Sequence, residues 1–252
     1  MCDGRALVYL YDGSFEGLLT TIYEAYYKEP PSRILTAGQY QQAFDERYEH
    51  VQTDLLKSDR VYDAIEKKIG KRALSMVYYG WLSHEPERAG WIYEFVKKGF
   101  KFGRGVTARL TDQDVERIHS MNRPVLREYD KQRGFLRFSA LEGGLYYARI
   151  ETISYQLPLL TPFFFERMNT NPFIIHDKRR NFAGVSDTRE WRILNADGFT
   201  APNLAKDEED YRRWWRGFHE VLAIESRKNL KLQSQNMPKR YWTYITEMNK
   251  EM

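Results

Sequence analysis

Hydrophobic residues recur at two different spacings along the chain, and the spacing changes several times. Residues 7–11 form a short apolar and aromatic run that ends in Asp-Gly, a pattern typical of a buried strand followed by a turn. From Phe15 to Tyr27 the apolar residues recur at helical spacing, and Ser14 is suited to cap that helix. Residues 44–57 alternate in polarity, which predicts an edge strand. We therefore expect the chain to open with α/β structure.

A long helical region is predicted over residues 58–133. Ser58 is expected to cap its first helix, and Thr111 is expected to cap its last one. Pro124 lies inside that last helix and lacks the N–H that a helix interior needs. We therefore expect the helix to kink or to restart near Asn122.

The stretch 134–180 combines the densest apolar pattern with a cluster of charges. It predicts two adjacent strands near 134–153, then a helix, then a strand from about residue 172 that runs into charged residues. Alternating segments up to residue 194 predict a meander, followed by a loop over 196–206. An amphipathic helix after Asp207 and a short helix after Pro238 complete the predicted elements. On the amphipathic helix one apolar face is predicted, formed by Trp214, Phe218, Val221 and Leu222.

These elements predict an α+β fold. Its small, mainly antiparallel sheet would contain strands near 7–11, 134–153 and 172–194, packed by a large set of helices. At 252 residues with 42% hydrophobic content, the chain can bury a substantial core. We expect residues 1–252 to form a single domain, with a helical sub-domain at 58–133 as an option.

Composition adds limits on partners and location. The chain has 39 Lys+Arg and 35 Asp+Glu, a net charge of +4 that permits a polyanionic partner without requiring one. Cys2 is the single cysteine, so this chain alone can form neither an internal disulfide nor a Cys-based metal site. Since no apolar run approaches the roughly 20 residues that span a bilayer, and no signal peptide pattern is present, we expect a cytoplasmic protein without membrane association.

Catalytic motifs are absent from the sequence, and no metal site is predicted. His176 and Asp177 at a strand end, with Glu166, are weak candidates for acid–base chemistry. Adjacent strand residues point to opposite faces, so His176 and Asp177 cannot form one dyad while the strand persists. Asp177 is more simply interpreted as the ion-pair partner of Arg179 or Arg180.

Basic residues give the more coherent signal. Arg137 and Arg149 are predicted to lie within strands among apolar neighbours, where each needs a carboxylate, such as Glu142, Glu151 or Glu166, or a bound phosphate. These two interpretations stay open. Further basic residues could extend an anion-binding surface: Lys178, Arg179, Arg180, Arg212, Arg213, Arg216, Arg227, Lys228, Lys231, Lys239 and Arg240.

Several motifs spread over the chain resemble one bacterial family. They are YLYDGSFEGLLTTIYEAY near the start, GFLRF, GGLYYARIE and FIIHDKRR in the middle, and LAIESRKNLKLQ and MPKRYW near the end. The sequence resembles the domain of unknown function numbered 4130, which is described as a DNA metabolism or DNA repair protein. One departure is visible: the family helix before FLRF carries a His in the pattern ExHxxxGFLRF, and here Asp130 occupies that place.

The resemblance implies a companion role. Family members resemble neighbours of a DNA-repair radical SAM protein, and a similar domain occurs fused to a uracil-DNA glycosylase-like domain. The partner would supply the iron–sulfur cluster and S-adenosylmethionine, so no cofactor is expected in this chain. We therefore expect a non-catalytic accessory protein of DNA repair or modification that binds DNA, with RNA as an alternative, or the radical SAM partner, through a basic surface. The alternative interpretations are a cryptic nucleic-acid-processing enzyme with His176, Asp177 and Glu166 around one pocket, and a purely structural partner.

Overall fold

A computed structural model of the protein describes residues 5–41 and 43–248. The chain divides into two compact units, residues 1–126 and 127–252. Cys2 lies outside the described residues. The predicted single domain over 1–252, with its helical sub-domain at 58–133, stays a prediction.

The first unit opens with a three-stranded parallel sheet. Strands β1 (Ala6–Tyr11), β2 (Arg33–Thr36) and β3 (Glu46–His50) are ordered β2-β1-β3. Helix α1 (Phe15–Tyr27) connects β1 to β2, and the Ser14 hydroxyl accepts a hydrogen bond from the Gly17 N–H at 2.8 Å. The predicted strand, capped helix and edge strand are therefore confirmed, whereas β2 was not predicted.

Helices then follow in the order α2 (Leu55–Ala64), α3 (Lys71–Trp81), α4 (Arg88–Phe102) and α5 (Gln113–Phe135), with a π-helical turn over Ile65–Ile69. The predicted Ser58 cap is wrong. Asp54 caps α2, because its carboxylate accepts from the Leu56 and Lys57 N–H groups at 3.0 and 3.2 Å. Helix α5 continues through Pro124 and does not restart near Asn122.

The second unit contains a five-stranded sheet. Its strands are β4 (Ser139–Ala140), β5 (Tyr146–Ile150), β6 (Phe173–Asp177), β7 (Phe182–Ser186) and β8 (Trp191–Asn195), in that spatial order. Helix α6 (Leu157–Arg167) joins β5 to β6, which pair in parallel, while the other neighbours pair antiparallel. This order matches the predicted strands, helix and meander.

The α+β class is confirmed, but the predicted mainly antiparallel sheet is wrong in two respects. β1 belongs to a separate, parallel sheet, and β5–β6 adds a parallel pair to the larger one. The physical reason is the pair of connecting helices. A helix between two strands returns the chain to the end where it started, so α1 and α6 make parallel pairing possible where a short turn would enforce antiparallel pairing.

After β8 come α7 (Glu208–Leu222), α8 (Leu230–Asn236) and a 3₁₀ segment over Lys239–Tyr244, and shorter 3₁₀ segments lie at Ala37–Gln39, Gly103–Ala108 and Glu225–Arg227. Arg137 lies between α5 and β4, so its predicted place inside a strand is wrong. In the part of the chain that the structure describes, no helix combines the length and apolar character that a membrane crossing requires.

Candidate anion-binding site

Alternation along β5 and β6 divides the five-stranded sheet of the second unit into two faces. Ala148, Ile150, Phe173 and Ile175 cluster with Leu160 and other residues of α6 on one side, which we call the helix-covered face. The register pairs Ser139 with Tyr147 and Arg149 with His176. Because paired residues share a face and successive residues alternate, these four side chains lie on the opposite side, which we call the pocket face.

The pocket face borders a cavity of about 420 Å³ that lies within residues 137–246. Four arginines line it, and they come from three places in the chain: Arg137 before β4, Arg149 on β5, and Arg212 and Arg216 on α7. The other lining residues are Ser139, Leu141, Tyr147, Ala201, Pro202, Leu204, Glu209, Tyr244 and Thr246. A site so rich in guanidinium groups has the composition of an anion-binding site.

Arg137 is held by the segment after the last 3₁₀ turn. Its guanidinium lies 2.7 Å from the Glu247 carboxylate and donates to the Gly134 carbonyl at 2.8 Å. Trp215 Nε1–H donates to the same carboxylate at 2.9 Å. Burial pushes the pKa of Glu247 upward, but the hydrogen bonds from Arg137 and Trp215 outweigh it and leave that pKa below its usual value. Glu247 is therefore an ionised anchor at neutral pH.

Arg212 connects α7 to the sheet edge. Its Nε donates to Glu208 at 2.8 Å, and its terminal nitrogen donates to the Ser139 hydroxyl at 2.6 Å. The second carboxylate oxygen of Glu208 accepts from the Ala140 N–H at 2.9 Å. Glu208 is buried, so this network fixes the start of α7 and orients Arg212 before any ligand arrives.

Tyr244 supports Arg149. The Arg149 guanidinium carbon lies 5.1 Å from the centre of the Tyr244 ring, within cation–π range. The Tyr244 hydroxyl donates to Glu151 at 2.6 Å. Burial, followed by that hydrogen bond, raises the pKa of Tyr244 to about 12. Tyr244 therefore stays neutral in the physiological range and provides a fixed aromatic wall.

Tyr147 links the pocket to a buried histidine. Its hydroxyl lies 2.9 Å from His176 Nδ1, and His176 Nε2 lies 3.4 Å from Asn181 Oδ1. The Asn181 amide nitrogen donates to Asp197, which assigns Oδ1 to the His176 side. His176 therefore carries its proton on Nε2, which donates to Asn181, while Nδ1 accepts a hydrogen bond from the Tyr147 hydroxyl. Burial lowers the pKa of His176, against the opposing effect of the Asn181 hydrogen bond, so the ring is neutral at pH 7.

Asp177 lies on the helix-covered face, opposite His176, as predicted from strand alternation. It is buried, and its Oδ2 accepts from Arg180 at 3.0 Å, which confirms the interpretation of an ion pair. Arg180 also donates to the Thr152 and Ile153 carbonyls. The Arg180 guanidinium therefore stabilises the turn after β6 and the segment after β5.

The three acid–base candidates do not surround one pocket. His176 and Asp177 are buried on opposite faces of β6, and Glu166 is exposed in the last turn of α6. None of them lines the cavity of about 420 Å³. Among the described residues, no group of three or more His, Cys, Asp or Glu side chains could hold a metal ion.

The structure brings some predicted basic residues together and leaves others apart. Arg137, Arg149 and Arg216 line the pocket with Arg212, whereas Arg213 pairs with Asp210 at 2.6 Å on the exposed side of α7. The other predicted basic residues are exposed and do not line it: Lys178, Arg179, Arg227, Lys228, Lys231, Lys239 and Arg240.

Sequence reasoning missed Tyr147, Tyr244 and Glu247. Tyr147 could have been found, because it precedes Arg149 by two residues on a strand and must share its face. The predicted carboxylate partners of Arg137 were Glu142, Glu151 and Glu166, which is wrong, since the partner is Glu247. That partner is 110 residues away in sequence, so no local pattern indicates it.

The pocket residues fall inside a region that one protein family shares. The sequence model of DUF4130, a domain of unknown function, matches residues 86–247. The chain belongs to the DUF4130 family. The matched region of this DUF4130 chain contains every residue that lines the pocket. Searches with the whole chain match neither a curated protein nor a solved structure.

Proposed function

We propose that this DUF4130 protein is a non-catalytic accessory protein of DNA repair or modification that binds nucleic acid through the arginine-lined pocket. The observation that carries the proposal is the convergence of four arginines, from three places in the chain, on one cavity with two tyrosines. Guanidinium groups bind phosphate oxygens in bidentate geometry, and aromatic rings stack on bases without sequence preference. The two residue types together fit a phosphate and a base.

Preorganisation supports the proposal. Glu247 and Glu208 hold Arg137 and Arg212 without lining the cavity themselves. Carboxylates behind the arginines reduce the repulsion between neighbouring positive groups, and each guanidinium has five N–H donors to divide between its anchor and a ligand. An anion therefore binds without first reorganising these side chains.

The DNA-repair role and the partner come from the family resemblance. We propose that the partner is a radical SAM protein that carries the iron–sulfur cluster and S-adenosylmethionine. Co-expression with a radical SAM protein of the kind that the resemblance implies, followed by purification through a tag on one of the two proteins, tests the association. Nucleic-acid binding by each protein alone then shows which of them contacts the strand.

Binding is tested by fluorescence anisotropy with a labelled single-stranded oligonucleotide at several salt concentrations. We expect the affinity to fall steeply with salt, because phosphate contacts release counterions. The double variant Arg149→Ala/Arg216→Ala should weaken binding by about tenfold or more, since a charge-assisted contact contributes on the order of 1–3 kcal/mol. Arg213→Ala is the matched control, because Arg213 lies on the same helix, is exposed and does not line the pocket.

Two results would contradict the proposal. One is an absence of binding even at low salt. The other is equal affinity for the wild type and the Arg149→Ala/Arg216→Ala variant, with circular dichroism showing that both are folded.

One observation favours the structural-partner alternative. The predicted apolar face of α7 is exposed: Trp214, Phe218 and Leu222 are 61%, 55% and 61% exposed. Exposed aromatic clusters of this kind mark protein interaction sites. In this alternative, Trp214→Ser/Phe218→Ser abolishes association with the radical SAM protein, and the isolated chain binds no oligonucleotide. Retained association in that variant would remove the alternative.

A further inference from the structure

Besides the two tyrosines, the residues that line the pocket include two chemically different groups, which we call the charged wall and the second wall. Arg137, Arg149, Arg212 and Arg216 form the charged wall, and their four positive charges exceed the one negative charge in the lining, that of Glu209. The second wall is largely apolar and is formed by Leu141, Ala201, Pro202 and Leu204. A ligand that satisfies both walls needs an anionic group joined to a flat or apolar part, which is the chemistry of a nucleoside phosphate.

The second wall is built by backbone pairing, so it is part of the fold. Glu142 N–H donates to the Asn203 carbonyl at 3.0 Å, and Ala205 N–H donates to the Ala140 carbonyl at 3.0 Å. Leu141 and Leu204 form an antiparallel bridge between these two bonds. The loop that carries Ala201 and Pro202 is thus held against β4 and keeps the apolar wall in place.

The charged wall combines donors from three segments of the chain. Arg137 approaches from the segment before β4, Arg149 from β5, and Arg212 and Arg216 from successive turns of α7. A terminal phosphate offers three non-bridging oxygens to such a set, whereas a phosphodiester inside a strand offers two. Convergent donors of this kind match the terminal group better.

The pocket size agrees with a single nucleotide. Its volume is about 420 Å³. Small-molecule sites in proteins occupy roughly 300–1,000 Å³, so one nucleotide fits and several stacked nucleotides do not. The sheet, α7, the 201–204 loop and the 244–246 segment all contribute residues to the lining of the cavity.

We infer that the pocket binds one nucleoside phosphate unit that carries a terminal phosphate. The phosphate contacts the four arginines, and the base lies against the wall formed by Leu141, Pro202 and Leu204. This inference rests on the proposed function in one respect, because it assigns the nucleic-acid contact to a phosphorylated strand end. A free mononucleotide has the same chemistry, and the experiment separates the two sources.

The experiment compares dissociation constants, measured by titration calorimetry, for five probes. These are a four-residue oligothymidylate with a 5′-phosphate, one with a 3′-phosphate, one without a terminal phosphate, thymidine monophosphate and inorganic phosphate. We expect one phosphorylated end to bind about tenfold or more tightly than the unphosphorylated strand, as the loss of a charge-assisted contact predicts. Inorganic phosphate should bind more weakly than thymidine monophosphate, since it leaves the apolar wall unused.

Two variants and a control test which wall contacts the phosphate and which contacts the base. Arg149→Ala/Arg216→Ala should abolish the preference for the phosphorylated end, whereas Arg213→Ala should keep it. Leu204→Ser should lower the affinity for thymidine monophosphate but leave the affinity for inorganic phosphate unchanged. Leu204 is 38% exposed, so this substitution does not open the core.

The outcomes separate the inference from the proposed function. Equal affinity for phosphorylated and unphosphorylated strands overturns the inference, while salt-dependent strand binding that needs Arg149 and Arg216 still supports the function. Tight binding of thymidine monophosphate without strand binding supports the inference and overturns the function. If no probe binds the folded wild type, both fail.

Discussion

The two faces of the five-stranded sheet use the same strands for different purposes. On the helix-covered face, Phe173 is 0% exposed and Asp177 is paired with Arg180 three residues later. On the pocket face, Arg149 and Tyr147 line a cavity, and His176 lies behind Tyr147. Each face contains one buried ionisable residue of β6. The hydrogen-bond partners of that residue determine whether it stabilises the fold or supports the pocket.

The partners differ in kind. Asp177 receives the Arg179 and Arg180 N–H groups and the Arg180 guanidinium, all from the turn that follows it. Such a local network orders the turn and offers nothing to a ligand. His176 also has a local partner, Asn181, but its other ring nitrogen bonds Tyr147, which lines the pocket. Burial of a polar residue is therefore a weak guide to function unless its partners are known.

The largest effect is expected from the helix-covered face. Phe173→Ala removes a fully buried ring that packs against Phe138 at a centroid distance of 5.7 Å. Loss of apolar contact and the resulting cavity should lower the free energy of unfolding by about 4 kcal/mol. Urea denaturation measures this change. A loss below about 1 kcal/mol would show that this face is not the core of the second unit.

A second large effect is expected at the turn. Asp177→Ala leaves Arg180 without its carboxylate and two backbone N–H groups without their acceptor. Breaking a buried pair on one side costs about 3 kcal/mol. The double variant Asp177→Ala/Arg180→Met should recover part of that loss, because it also removes the unpaired charge. No recovery in urea denaturation would argue that the backbone contacts dominate.

The next effect is a dependence of stability on pH, and it comes from His176 on the pocket face. The folded pKa of His176 lies below its ordinary value of 6.5, mainly because the ring is buried. The unfolded chain therefore binds a proton first as the pH falls, and stability that is fully present above about pH 6.5 declines below it. His176→Gln should flatten this decline between pH 7 and pH 5 in urea denaturation. His219→Gln is the control on an exposed histidine, and an identical slope in all three proteins would refute the assignment.

The smallest effect is expected from the pocket arginines. Arg216→Ala truncates a half-buried side chain that lines the cavity. Because the interactions of a partly exposed arginine contribute little to stability, we expect the free energy of unfolding to fall by less than about 1 kcal/mol. The same urea assay measures it, and a loss above about 2 kcal/mol would show that the residue holds α7 in place.

Local patterns predicted most elements of the second unit. The strands, α6 and the meander follow directly from apolar periodicity between residues 134 and 194. Strand alternation also separated His176 from Asp177 correctly. The mixed sheet was missed, although the predicted order of strand, helix and strand for β5, α6 and β6 is the pattern that favours parallel pairing.

The pocket itself could be predicted only in part. Arg137 and Arg149 were candidates because arginines among apolar strand residues need an anionic partner, and Arg216 was a candidate because it belongs to the basic residues of the amphipathic helix. Their convergence with Arg212 depends on α7 returning to the edge strand through Glu208, and on Glu247 reaching Arg137. Both are contacts over long sequence separations. Lys178 and Arg179 had the same sequence signal, and the structure leaves them exposed outside the pocket.

The parallel pairing of β5 with β6 has a consequence for the order of folding. β6, β7 and β8 are joined by short turns, whereas β5 meets β6 only after the α6 crossover has formed. Contacts between distant segments form later than local ones because loop closure must come first. We expect the amides of β6–β8 to gain protection before those of β5 in pulsed hydrogen exchange during refolding. The strand that carries Arg149 would then join the sheet late, and the pocket would appear only as the chain completes its fold.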